Sequence, residues 1–165
     1  MRQFVLSLFF LTCISWASAQ PFFTKVEDSS NPITQQISIP IYFGASWVDY
    51  NGDGLLDLFV NSNSLYRNDG DEQFTKVNFS GINIGFGNGN SWGDIDRDGD
   101  LDVLIAASPS KYFRNDDTTF TEVPLSTSTI SNRLFWSVAL GDYNEDGWLD
   151  AYFTHPARFL GNDRP

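Results

Sequence analysis

Residues 94–102 read DIDRDGDLD, and the same nine-residue pattern occurs twice more, as DYNGDGLLD at 49–57 and as DYNEDGWLD at 142–150. The three copies start 45 and 48 residues apart. A pattern that returns at this spacing is typical of proteins in which each repeat is one supersecondary unit, such as a propeller blade. We name the copies loop 1 (49–57), loop 2 (94–102) and loop 3 (142–150), and number the positions within each from one to nine.

Each loop stands between segments that favour β-strands. A segment containing phenylalanine precedes every loop, at 43–47, 86–92 and 135–139, and a run of β-branched, aliphatic or aromatic residues follows it, at 58–60, 103–105 and 151–153. A further strand and turn follow at 65–70, 112–117 and 159–163, and the first two repeats close with alternating segments at 74–77 and 120–123. The pattern predicts four strands per repeat.

The predicted fold class is therefore all-β, with about three four-stranded propeller blades at 43–77, 86–123 and 135–165 and a partial strand at 23–26. No long stretch has apolar residues at helical spacing, and 15 Phe, 5 Trp and 6 Tyr are spread among short runs broken by 13 Gly. Propellers usually contain about four to eight blades. We expect an incomplete propeller. Further blades of a longer protein would complete it, or copies of the chain would close it by self-association. The third alternative is that the repeats form an open stack.

The loops carry the residues that we expect to bind metal. Calcium prefers about six to eight oxygen ligands, and side-chain oxygens at alternate positions of a loop can point at one centre. Glycine at position six allows the sharp turn around an ion, and the carbonyl oxygen of position seven adds a ligand. The predicted ligands of up to three Ca²⁺ ions are Asp49, Asn51, Asp53, Leu55 and Asp57 in loop 1, Asp94, Asp96, Asp98, Asp100 and Asp102 in loop 2, and Asp142, Asn144, Asp146, Trp148 and Asp150 in loop 3.

The charge of the chain is concentrated in these loops. They contain 12 acidic residues and one basic residue, Arg97, so their net charge equals the -11 of the whole chain. Close carboxylates repel one another, and a divalent cation relieves that repulsion. The acidic excess argues against nucleic acid and against anionic membrane surfaces as partners.

Three other interpretations of the loops are weaker. Asn-Gly and Asp-Gly pairs form polar hairpin turns, which explains one loop but not three with the same acid and amide positions. An EF-hand needs Glu at its twelfth position, where Val60, Ile105 and Phe153 stand here. Magnesium demands tighter octahedral geometry and keeps its waters, so calcium is favoured.

The N-terminus reads as an export signal at 1–19. Arg2 provides a positive start, residues 4–16 form an apolar run too short to span a bilayer, and residues 17–19 (Ala-Ser-Ala) form a cleavage site before Gln20. Cys13 lies in this segment, so disulfides cannot stabilise the mature chain. We predict a secreted or cell-surface protein that does not insert into the membrane after cleavage.

The repeats resemble those of a known family. Residues 135–142 (FWSVALGD) and the loop after them look like an FG-GAP repeat of the integrin α-subunit propeller, and the endings at 68–70 and 74–77 resemble VCBS-type repeats. The motif departs from the family at Trp136, where glycine is usual. The resemblance implies a β-propeller in which each acidic loop is a β-hairpin calcium site.

The residues favour recognition over catalysis. The mature chain would hold one histidine, His155, and no cysteine, so it lacks the usual nucleophile and base pairs, and we predict that it is not an enzyme. The leading hypothesis is a calcium-stabilised module for adhesion to or recognition of an extracellular protein or glycan. The alternative is a non-catalytic propeller segment of a larger secreted enzyme.

Overall fold

The structure, a computed structural model, describes residues 23, 25, 27–34, 44–60, 64–77, 87–125 and 134–155. The predicted signal peptide at 1–19 and the predicted strand at 159–163 lie outside these residues. Of the partial strand predicted at 23–26, Phe23 and Lys25 are described, and neither is assigned to a strand. No helix in the described ranges has both the length and the apolar character needed to cross a bilayer.

Ten strands and a short 3-10 helix (Pro32–Thr34) make up the regular structure of the described residues. The strands are β1 (Ala45–Val48), β2 (Asp57–Val60), β3 (Ser64–Gly70), β4 (Gln73–Val77), β5 (Gly87–Gly93), β6 (Asp102–Ala107), β7 (Lys111–Asp116), β8 (Thr119–Val123), β9 (Ser137–Gly141) and β10 (Asp150–Thr154). They form three antiparallel sheets, with the orders β1-β2-β3-β4, β5-β6-β7-β8 and β9-β10. The all-β prediction is confirmed, and the first two repeats are four-stranded sheets.

The sheets pack face to face, and β6 lies in the middle of the stack. All six of its residues are buried. Val103 and Ile105 pack against Phe59 and Leu65 of the first sheet. Leu104 and Ala106 pack against Val138 of the third sheet. Burial on both faces explains why residues 103–107 of β6 are continuously apolar instead of alternating.

Aromatic side chains fill the space between the first and second sheets. Phe59 is fully buried, and its ring meets the Trp92 ring edge-on at 5.2 Å between centroids. Trp92 makes a second edge-on contact with Phe120 at 6.0 Å. Burying one large apolar side chain contributes about 1.5–3 kcal/mol, so contacts of this kind hold the sheets together.

The first strands of successive sheets lie side by side, as they do in propeller blades. β1 contacts β5, and β5 contacts β9. The amide of Gly44 donates to the carbonyl oxygen of Asn88 at 2.9 Å, and the amide of Gly89 donates to that of Trp136 at 2.9 Å. A Cβ on Gly89 would lie 2.8 Å from the Cα of Ser137, so the close approach requires glycine.

Candidate metal centre

Each acidic loop connects the first two strands of its sheet. Loop 1 joins β1 to β2, loop 2 joins β5 to β6, and loop 3 joins β9 to β10. Because these strands are antiparallel, the two ends of a loop meet. The residue before position one is paired with position nine in every case, as Val48 with Asp57, Gly93 with Asp102, and Gly141 with Asp150.

The three loops share one hydrogen-bond pattern. The carboxylate of position one (Asp49, Asp94 or Asp142) accepts hydrogen bonds from the amides of positions five and six at 2.8–3.1 Å. The Oδ1 atom of position three (Asn51, Asp96 or Asn144) accepts from the amide of position five at 3.0–3.3 Å. The Oδ1 atom of position five (Asp53, Asp98 or Asp146) accepts from the amide of position seven at 2.8–3.0 Å. The structure therefore brings the side chains of positions one, three and five together in all three loops.

Two positions of each loop have left-handed backbone. Position six is glycine throughout, with φ of 86° at Gly54, 104° at Gly99 and 85° at Gly147. Position four is also left-handed, with φ of 69° at Gly52, 68° at Arg97 and 61° at Glu145. The left-handed turn at position six was predicted from the sequence, whereas the one at position four was not. Gly52 was the available signal, but Arg and Glu occupy its place in the other two loops.

The position-nine carboxylates of the first two loops also fasten the loop to the rest of its sheet. Asp102 is fully buried, and its oxygens accept hydrogen bonds from the Ile95 amide at 3.0 Å, the Tyr112 hydroxyl at 3.0 Å and the Asn115 amide at 2.9 Å. Burial, together with the negative charge of Asp102, raises the pKa of Tyr112 above its usual range. This role of position nine is a feature that the sequence analysis did not foresee.

Position nine of loop 1 is buried and hydrogen-bonded like that of loop 2, whereas position nine of loop 3 is not buried. Asp57 is fully buried and accepts hydrogen bonds from the amides of Tyr50 at 3.2 Å and Asn68 at 2.8 Å. Burial raises the pKa of Asp57 despite these two bonds. Asp150 accepts a hydrogen bond from the Tyr143 amide at 3.0 Å, but it is exposed.

Loop 2 has the strongest concentration of negative charge. One carboxylate oxygen from each of Asp94, Asp96 and Asp98 lies within 4.8 Å of the other two. The pKa of Asp96 is raised, first by desolvation and then by the charges of Asp102 and Asp98. Arg114 offers partial compensation, since its Nε atom lies 3.8 Å from Asp96 Oδ2.

At position three, loops 1 and 3 have an asparagine whose side chain donates a hydrogen bond within the loop, whereas loop 2 has a third carboxylate there. Asn51 Nδ2 donates to Asp53 Oδ2 at 2.9 Å, and Asn144 Nδ2 donates to Asp146 Oδ2 at the same distance. Hydrogen bonds from the Trp148 amide and from Asn144 lower the pKa of Asp146, with a smaller effect from the positive charge of Arg97. The carboxylates of these two loops are thus better compensated than those of loop 2.

Position seven is Leu55, Asp100 or Trp148, and only its carbonyl oxygen is a predicted ligand. The side chains at this position point to other partners in loops 2 and 3. Asp100 Oδ2 accepts a hydrogen bond from the Asp117 amide at 2.7 Å, while the Trp148 ring lies under the Arg97 guanidinium, 4.8 Å from Cζ to the ring centroid. Loop 3 therefore touches a residue of loop 2.

The donor set fits a hard divalent cation. Every candidate ligand atom in the three loops is an oxygen of a carboxylate, an amide or the backbone, which suits calcium and disfavours zinc or copper. The ligands that would hold such an ion are positions one, three, five, seven and nine of each loop.

A family profile described as FG-GAP-like repeat matches residues 49–105 and again residues 94–153. The two matches overlap across loop 2 and together include all three loops and every strand from β2 to β9, with β10 as far as residue 153. Comparison with curated proteins and with solved structures finds no match. Because the profile covers more than half of the chain and the sheets repeat as blades, the chain belongs to the FG-GAP-like repeat family.

Proposed function

We propose that the protein is a secreted, non-catalytic β-propeller module that binds up to three calcium ions as structural ligands and serves adhesion or recognition. The observation that carries the proposal is the threefold recurrence of one loop geometry, in which the side-chain oxygens of positions one, three and five accept hydrogen bonds from equivalent backbone amides in every loop. A polar turn would not need this arrangement three times.

Electrostatics supports a cation most strongly in loop 2. Two carboxylates about 4 Å apart repel by about 1 kcal/mol even at the dielectric constant of water. Loop 2 brings the carboxylates of Asp94, Asp96 and Asp98 together, and it also contains the buried Asp102. Calcium would neutralise these charges and fix the connection between the first two strands of each blade.

Exposed aromatic side chains near loop 3 support a role in recognition. Tyr143 is 92% exposed, Tyr152 is 74% exposed and Trp148 is 52% exposed. Exposed aromatic groups with a polar atom are favoured where proteins bind other proteins, and their flat faces also suit sugar rings. We infer that the partner is an extracellular protein or glycan that contacts the blade carrying loop 3.

Secretion and the absence of catalysis complete the proposal. Secretion is supported by the apolar segment and the small residues at 17–19, and mass spectrometry of the exported protein should give Gln20 as its first residue. Catalysis is not expected, because the predicted mature chain holds one histidine, His155, and no cysteine with which it could form a nucleophile and base pair.

Isothermal titration calorimetry of the purified protein with calcium tests the metal sites. We expect saturable binding with up to three sites, which magnesium at the same concentration does not reproduce. The matched control carries Asp53→Asn, Asp98→Asn and Asp146→Asn, which preserve side-chain shape and remove one negative charge from each loop. If the titration of the protein gives no heat of calcium binding, or if the control gives the same heat as the unmodified protein, calcium binding by the loops is refuted.

Recognition is tested by binding of the labelled protein to an array of glycans and to a panel of purified extracellular matrix proteins. We expect binding that a calcium chelator abolishes and that Tyr143→Ser with Tyr152→Ser weakens. Binding to neither class in the presence of calcium would count against the recognition role, whatever the calorimetry shows.

A further inference from the structure

Arg97 connects two of the candidate metal centres. Its backbone is at position four of loop 2, with φ of 68°, and its guanidinium lies over the Trp148 ring of loop 3 at 4.8 Å. A Cβ placed on Gly147 would be 3.5 Å from an Arg97 terminal nitrogen. The cation therefore lies across positions six and seven of the neighbouring loop.

Loop 1 has no equivalent cation at position four. That position is Gly52, which has the same left-handed backbone and no side chain. In loop 2 the side chain at position seven, Asp100, is instead bound to the Asp117 amide at 2.7 Å. Among the residues that the structure describes, no guanidinium between loops 1 and 2 corresponds to Arg97.

We infer that Arg97 is a fixed counter-charge for loop 3, which holds that loop in shape without an ion and lowers its affinity for calcium. The inference rests on the proposed function, because it concerns the strength of a proposed calcium site. Two effects compete in it. The stack on Trp148 stabilises the loop with or without an ion, whereas the positive charge favours the ion-free loop and repels an arriving cation.

The positive charge of Arg97 determines whether the residue weakens or strengthens calcium binding. The stack on Trp148 is present both with and without the ion, so its contribution largely cancels. A single charge about 8 Å from a divalent ion at the dielectric constant of water weakens binding about fivefold, and screening at about 0.1 M salt reduces this to about twofold. Removing the charge should therefore strengthen calcium binding at loop 3 by about two- to fivefold.

The test is a calcium titration of the whole protein followed by NMR at the backbone amides of Gly54, Gly99 and Gly147. Each of these amides donates to the position-one carboxylate of its own loop, so each reports one loop. Arg97→Gln should tighten binding at Gly147 by about two- to fivefold and leave Gly54 unchanged, and the effect should vanish at about 1 M salt. Arg97→Lys keeps the charge and should restore the original affinity.

Arg114→Gln is the matched control. Arg114 also carries one positive charge, but it pairs with Asp96 of loop 2 and with Asp116. This variant should tighten binding at Gly99 and not at Gly147. Without calcium, Arg97→Gln should lower the melting temperature by about 2–4 °C, because the stack on Trp148 is lost.

The outcomes separate the two proposals. Calcium binding at Gly147 that is unchanged or weakened by Arg97→Gln would overturn the inference and leave the proposed function standing. No calcium response at any of the three glycines would overturn the proposed function, and the inference with it.

Discussion

The side-chain amide of Asn115 donates a hydrogen bond to the backbone carbonyl oxygen of Tyr50 at 2.9 Å. Asn115 belongs to β7 of the second blade, and Tyr50 is position two of loop 1, so the bond connects one blade to the acidic loop of its neighbour. Asn115 is fully buried, and its Nδ2 atom also donates to the Leu101 carbonyl oxygen at 3.3 Å.

Replacing Asn115 should lower the free energy of unfolding more than replacing Asn68, its counterpart in the first blade. Asn115→Ala leaves the buried carbonyl oxygen of Tyr50 and the partly buried carbonyl oxygen of Leu101 without this donor and should destabilise the protein by about 2–3 kcal/mol. Asn68 occupies the same place in β3, is partly exposed and donates to Leu56 at 3.1 Å, so Asn68→Ala should cost about 1 kcal/mol. Urea unfolding of both variants measures the difference, and equal losses would contradict the role assigned to the contact between blades.

The buried carboxylate at position nine should matter even when no calcium is present. Asp102→Ala removes three hydrogen bonds and leaves the amides of Ile95 and Asn115 unpaired, which should cost about 3 kcal/mol or more. Asp150→Ala removes one bond at an exposed site and should cost under about 1 kcal/mol. Unfolding in excess chelator isolates this effect. If the two variants lose the same stability there, position nine acts only as a metal ligand.

The contact between first strands predicts opposite results for two glycines. Gly89→Ala would place a Cβ 2.8 Å from the Cα of Ser137 and 3.0 Å from the carbonyl oxygen of Trp136, which should cost about 1–3 kcal/mol. Gly141 has no atom within 4 Å of its Cβ position, so Gly141→Ala should be neutral or slightly stabilising. Thermal unfolding distinguishes the two, and a harmless Gly89→Ala would show that the strands are farther apart.

Acidification should release calcium from loop 2 before loop 3. Protons compete with calcium for a carboxylate, so a carboxylate with a raised pKa is protonated, and loses calcium, at a higher pH. The pKa of Asp96 is raised by desolvation and by its acidic neighbours, whereas hydrogen bonds lower the pKa of Asp146. Calcium affinities at Gly99 and Gly147, measured from about pH 7 down to pH 4, should fall first at Gly99.

Asp96→Asn is the control for this pH dependence. The variant should weaken calcium binding at neutral pH but remove the early loss of affinity at Gly99. Earlier release from loop 3 than from loop 2 would contradict the assignment.

The strands and the loop chemistry follow from local sequence. The run at 103–105 predicted β6, and the spacing of Asp94, Asp96 and Asp98 predicted side chains that meet, because both depend on residues close together in the chain. The left-handed backbone at Arg97 was not predicted, since arginine rarely adopts it and nothing local marks it. Here the geometry of the whole loop overrides the preference of one residue.

Contacts between blades could not be predicted from the same patterns. The bond from Asn115 to Tyr50 joins residues 65 positions apart, and the sequence shows Asn115 only as part of an Asn-Asp turn. The contact of Arg97 with Trp148 likewise depends on how the third sheet packs on the second. Such contacts follow from the stacking of the sheets, which periodicity within one repeat does not specify.

Thermal unfolding in calcium, in magnesium and in excess chelator tests the central claim most directly. With a dissociation constant of about 0.1 mM and about 1 mM free calcium, each site adds about 1.4 kcal/mol, and three sites add about 4 kcal/mol. We predict a melting temperature about 10 °C higher in calcium than in chelator, little change in magnesium, and no calcium effect when Asp53, Asp98 and Asp146 are all replaced by Asn. A folded protein that melts at the same temperature in all three conditions would contradict the claim that calcium stabilises these blades.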